Sequence, residues 1–157
     1  MNNDTPMTTP PQEHAARRDW LAVLARASTE ELEACVGRAA PLPPMETIRQ
    51  PEVGMVMLRA RVGGTGDAFN LGEASLTRCA VRLDGILGVG YVLGRDRRKA
   101  ELTALIDALL QDEQRGPAWR RELIEPLRAR QAREREAVSR AAASSRVDFF
   151  AMVRGEA

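Results

Sequence analysis

The chain has 157 residues, 44% of them apolar and only 4% aromatic, and its 23 basic and 22 acidic side chains leave a formal net charge of +1. That length suits one domain whose core is built mainly from Leu, Val, Ala and Ile, and the balanced charge argues against general attraction to nucleic acid or an anionic membrane. Cys35 and Cys79 belong to no C-x-x-C pair, which excludes a zinc ribbon or redox motif and fits a reducing, cytoplasmic compartment.

Residues 1–13 are polar and carry Pro6, Pro10 and Pro11, so they read as a disordered leader, without the basic and apolar regions of a signal peptide. Residues 14–157 read as a single domain. From His14 the spacing of Trp20, Leu21, Leu24 and Ala27 predicts a helix. Ser28 and Glu31 form a capping-box signature that starts a second, shorter helix, with Gly37 as its stop. Pro41-Leu42-Pro43-Pro44 then marks a structural boundary.

Beyond it the period changes to two. Val56, Leu58, Ala60 and Val62 alternate with Met55, Met57, Arg59 and Arg61, which predicts a strand. A second extended run covers about 72–83, and Asp84-Gly85 is the preferred hairpin connection into the strand ILGVGYVL. A helix starts at Gly94-Arg95-Asp96, with Leu102, Leu105, Ile106, Leu109 and Leu110 on one face, and Gly116-Pro117 ends it. Trp119 to Glu125 predicts a brief helix, and Pro126 opens a last one, polar nearly all round, reaching about Ala143. The fold class expected is α+β: N-terminal helices, a central antiparallel meander of three or four strands, and C-terminal helices with an extended tail.

The glycines of RVGGTGDAF fail both phosphate-loop templates and join two strands rather than a strand and a helix, so a hairpin loop needing positive φ is the expected role. Arg95, Arg97, Arg98 and Lys99 crowd the first turn of a helix, where cations oppose the macrodipole; a bound anion or the neighbouring Asp96 and Glu101 would relieve the conflict. Arg59 with Arg61, and Arg78 with Arg82, lie on strands expected to pair, giving a four-arginine patch neutralised by carboxylates such as Glu73, by a ligand or by another chain. The catalytic inventory is poor: His14 is the only histidine, and no Ser or Cys has an adjacent base. In the terminal SRVDFFAMVRGE, Phe149, Phe150, Met152 and Arg154 either fold back on the core or dock into another subunit.

The segments RRDWLAVLARA, RARVGGTGDAFNLGEASLTRCAVRL, GRDRRKAELTALIDALL and SRVDFFAMVRGE, in that order, resemble the PhnG family, a subunit of the bacterial carbon-phosphorus lyase core complex. Ala151 departs from the threonine usual there. The resemblance implies cytoplasmic organic phosphonate catabolism, in which PhnG acts with PhnH-like, PhnI-like and PhnL-like proteins. Together they join methylphosphonate to ribose C1′ of ATP with loss of adenine, giving alpha-D-ribose 1-methylphosphonate 5-triphosphate. It implies a hetero-octamer with two copies each of the G, H, I and J subunits. It places the iron-sulfur cluster and SAM chemistry on the PhnJ-like partner and leaves no cofactor, metal or lone activity on this chain. Two roles follow: a non-autonomous supporting subunit, or one that contributes arginines to a nucleotide and phosphonate site.

Overall fold

The computed structural model describes residues 12–39 and 41–144. Helix α1 (Gln12–Arg26) begins two residues before the expected His14, and α2 (Thr29–Arg38) follows a capping box in which Ser28 Oγ accepts from Glu31 N while Glu31 accepts from Ser28 N. Thr29, in the first turn of α2, donates its hydroxyl to Asp96, the N-cap of α3 (Arg97–Gln111), whose other oxygen accepts from Lys99 N. Two helix starts are thereby pinned to each other.

The sheet is an antiparallel meander of three strands, β1 (Met45–Arg61), β2 (Ala68–Leu83) and β3 (Ile86–Leu93). Strand β1 starts ten residues before the alternating run that announces it in the sequence. Its first part is kinked by register shifts between Thr47 and Arg49 and between Arg49 and Glu52, where Pro51 also removes a donor. The connection from β2 to β3 has positive φ at both Asp84 (49°) and Gly85 (84°), the arrangement that matches strand twist in a two-residue hairpin.

Helix α3 is the centre of the molecule, with Ala100 and residues 102–110 all buried. Its Ala100, Ala104 and Ala108 face the sheet. A Cβ at Gly88 or Gly90 would sit 2.0 Å from the carbonyl oxygen of Ala104 or Ala100, so only glycine lets β3 approach the helix this closely. The other side of α3 offers Leu102, Ile106 and Leu110 to Trp20, Val23, Leu24, Leu32, Leu123, Ile124 and Leu127. The second face explains why α3 is buried all round: it is sandwiched between the sheet and the remaining helices.

The C-terminal helices differ from the sequence expectation at two prolines. Helix α3 stops at Gln111, before Gly116-Pro117, because Asp112 turns extended and its Oδ1 accepts from Gln114 N and Arg115 N. Pro117 instead lies in the first turn of α4 (Gly116–Trp119), which runs through a π-helical turn (Arg120–Ile124) into α5 (Glu125–Ser144). No new start is needed at Pro126, since the wide turn has Glu125 N bonding five residues back to Arg120 O and absorbs the register change. The tail residues Phe149, Phe150, Met152 and Arg154, and the leader 1–11, lie outside the described residues.

Candidate functional site

Among the described residues one carboxylate is fully buried, Asp107, in the middle of α3. Its Oδ1 accepts from Trp20 Nε1 at 2.8 Å and Arg17 Nε at 3.2 Å; its Oδ2 accepts from an Arg17 terminal nitrogen at 2.7 Å, Val89 N at 2.9 Å and Gln111 Nε2 at 3.2 Å. Every lone pair is thus committed to a donor of this chain. Its work is structural. It ties α1 to α3 and, with Arg17 and Gln111 also donating to Leu87 O, closes the outer edge of β3 against further pairing.

The arginines singled out in the sequence do not form one patch. Arg59 and Arg61 pair in register with Asn70 and Ala68 and continue the Met55, Met57 series. Arg78 and Arg82 alternate with the buried Thr77, Cys79, Val81 and Leu83 and therefore leave the sheet on its opposite face, roughly 25 Å along the strand. Arg78 is paired with Glu52 at 2.7 Å and Arg82 with Glu46 at 3.1 Å. The hydrogen bonds from Arg49, then Arg78, hold the Glu52 carboxyl below the usual range. At the start of α3, Arg98 bonds Glu33 and Glu101, which raise its pKa, whereas Arg95, Arg97 and Lys99 make no ion pair among the described residues. Glu73, expected among the arginines, stands opposite Met57.

The glycine loop is a hairpin tip. Gly63 takes φ 58° in the turn Val62–Gly64, and Gly66 N donates to Val62 O at 2.8 Å. A Cβ at Gly66 would meet that same oxygen at 2.7 Å. Both glycines are accounted for by chain reversal.

Cavities occur where the helices meet. One of about 400 Å³ between α2 and α5 is lined by Cys35, Arg38, Glu122, Leu123, Arg130 and Arg133 among others. Its charges are largely internal: Arg130 grips Glu31 with both terminal nitrogens, and Arg38 donates to Cys35 Sγ at 3.1 Å. Cys79 is buried between β2 and α3, among Val81, Val92, Ala100 and Ala104, its thiol pushed up by desolvation and then by the charge of Glu101. Among the described residues no group of His, Cys, Asp and Glu could hold a metal ion, and no helix is long and apolar enough to cross a membrane.

What stands out instead is uncovered apolar surface. Strand β3 ends at Leu93, opposite Leu76, so residues 55–61 and 68–75 continue beyond the body as a two-stranded arm, with Val53 and Gly54 at its base. Met55 is 61% exposed, Leu71 63% and Phe69 42%. Sequence reasoning identified Met55 and Met57 as strand residues but missed that neither face of the arm would be covered. The available signal was VGMVML, a run with no polar face on a strand of an antiparallel sheet, where one side is normally wet.

Comparison with known proteins adds relatives to this geometry. The profile for the phosphonate metabolism protein PhnG matches residues 15–155. The alpha-D-ribose 1-methylphosphonate 5-triphosphate synthase subunit PhnG of Rhizobium meliloti (strain 1021) is 42% identical over 147 residues, covering 90% of this chain and 91% of the relative.

Proposed function

This chain belongs to the PhnG family of phosphonate metabolism proteins, and from that premise we propose that it is a non-autonomous subunit of the carbon-phosphorus lyase core complex. There it supports formation of alpha-D-ribose 1-methylphosphonate 5-triphosphate from ATP and methylphosphonate in the cytoplasm. The observation that carries this reading is where the chain spends its chemistry. Its buried carboxylate is consumed by structural donors, while its uncovered surface is an apolar arm suited to protein contact. The relative's name places it in a synthase of more than one subunit. The partners that fit are PhnI-like, PhnH-like and PhnJ-like subunits and a PhnL-like protein, with ATP as a substrate of the assembly and the iron-sulfur and SAM steps on the PhnJ-like partner.

The test is adenine release from ATP in the presence of methylphosphonate, for the purified chain alone and for the reconstituted subunits with and without it. The chain alone is expected to release none, and its omission is expected to abolish release by the others. Adenine release by the isolated chain would overturn the proposal. The alternative role, arginines offered directly to nucleotide, finds Arg78, Arg82 and Arg98 already paired with Glu52, Glu46, Glu33 and Glu101 and would rest on Arg59, Arg61, Arg95, Arg97 and Lys99. It predicts that ATP raises the melting temperature of the isolated chain, since a ligand of the native state must stabilise it.

A further inference from the structure

The arm poses a solvation problem that the rest of the described residues do not solve. Val53, Met55, Met57, Leu58, Phe69 and Leu71 are each between 36% and 63% exposed. Together, over the two faces of the ribbon, they leave on the order of 600 Å² of apolar surface in water, close to the ~800 Å² that one partner contributes to a standard interface. The edge is open as well. Among the described residues strand β1 has a neighbour on one side only. Its outer amides and carbonyls along 53–58 belong to an uncharged, proline-free segment, whereas the preceding stretch is guarded by Pro51, register shifts and the ion pair between Arg49 and Glu52. Free β edges in lone proteins are normally blunted by such devices, and a six-residue apolar edge without them is a template for another strand.

A second copy of this chain is a poor occupant. Edge-to-edge pairing of two β1 strands would satisfy the amides but leave the Met55 and Met57 face and the Leu58 face in water. Covering both faces takes a groove with apolar walls. Of the cavities on the described helices, one carries Arg38, Arg130 and Arg133, another Arg26, Glu134 and Arg135, and a smaller one of about 120 Å³ sets Trp119 and Leu123 beside Arg38 and Glu122, so each bears charge where the arm does not. The arm itself has no net charge over 53–76, with Arg59 and Arg61 against Asp67 and Glu73, so electrostatic steering is not what selects its partner.

Resting on the subunit role proposed above, we propose that residues 53–76 are a docking arm, held in an apolar groove of a different subunit of the complex, with a strand of that subunit pairing along the free edge of β1 at 53–58. This is strand addition combined with apolar clasping, in which main-chain hydrogen bonds align the partner and buried methionine and leucine side chains supply the affinity.

The experiment is amide hydrogen exchange on the full chain, alone and in the complex co-purified with its co-expressed synthase subunits, together with affinity measurements on Met55→Glu and Leu71→Glu. Amides in 53–58 are expected to slow by at least about tenfold on assembly, and either variant to weaken the complex by at least about tenfold, the loss of a single interface hot spot. Val138→Glu, on the far part of α5, serves as the surface control. A complex that forms normally while 53–58 stay unprotected, or that tolerates both variants, overturns the arm but leaves the subunit role intact. Failure of the wild-type chain to enter any complex overturns the subunit role and the arm with it. Protection of 53–58 in the isolated chain that rises with concentration, accompanied by a dimer mass, assigns the edge to a second copy and overturns the proposal.

Discussion

Two projections leave the same body and differ in what water does to them. The β1–β2 arm presents Met55, Met57, Phe69 and Leu71 to solvent, and nothing in its own chain among the described residues covers them. The far half of α5 is just as uncovered, every side chain from Ala132 to Ala143 being exposed, yet it is charged nearly all round, with Glu136 pairing Arg140 at the favourable i, i+4 offset. Among the described residues the side-chain anchors of helix α5 gather at its base. Gln131 Nε2 donates to Val23 O at 3.0 Å, Leu127 is buried, Arg130 holds the Glu31 capping box, and upstream Arg120 stacks 5.0 Å over Trp20. A polar helix satisfies its own backbone and can stand in water beyond its anchor; an apolar two-stranded ribbon does neither on its free edges. Of the two, the arm is therefore the projection that requires a partner.

The comparison can be broken first at the body both projections share. Asp107→Ala leaves Arg17, Trp20 Nε1 and Val89 N without their common acceptor and is expected to cost about 3–5 kcal/mol, lowering Tm by roughly 10 °C for a chain of this size. Thermal unfolding checks it, and an unchanged Tm would mean that the clamp is dispensable. Gly90→Ala is next. Its Cβ must displace the α3 backbone at Ala100, at an expected cost of about 1–3 kcal/mol. Hydrogen exchange should quicken in β3 and at the base of the arm and stay unchanged along α5, which would separate the two projections.

Asp96→Ala removes the cap of α3 and the tie to Thr29, an expected loss of about 1 kcal/mol. The Asp96 pKa is lowered, first by the Thr29 hydrogen bond and then by Lys99 N, so its contribution is fully present above the unfolded value of about 3.9 and is lost as pH falls through the lower folded value. The stability gap between wild type and variant should accordingly hold above about pH 5 and narrow below about pH 4. The smallest effect sharpens the comparison most. Met55→Glu and Val138→Glu should each change the stability of the isolated chain by less than about 0.5 kcal/mol, as for any uncovered position. A large loss for Met55→Glu in denaturant unfolding would show that the arm packs on its own chain.

Local elements were legible because their causes are local. The capping box of Ser28 and Glu31, the positive-φ pair Asp84-Gly85 and the periodic leucines of α3 each involve residues within about two helical turns, and periodicity or turn chemistry reports them directly. Pro126 and Gly116-Pro117 misled for the same reason. A proline forbids one hydrogen bond, and the π-helical turn removes the need for it in a way that no local rule anticipates.

The sequence by itself determined the element types, the meander and, through four ordered segments, the family. Tertiary structure alone decided which faces are covered. Asp107 meets Trp20 across 87 residues, Gly88 and Gly90 matter only because α3 lies against them, and the paired arginine sets separate because the strand register carries them to opposite faces. Coverage is a relation between distant segments. Periodicity shows that a strand has an apolar face, but only the end of β3 at Leu93 shows that no third strand of the described residues continues beside the arm.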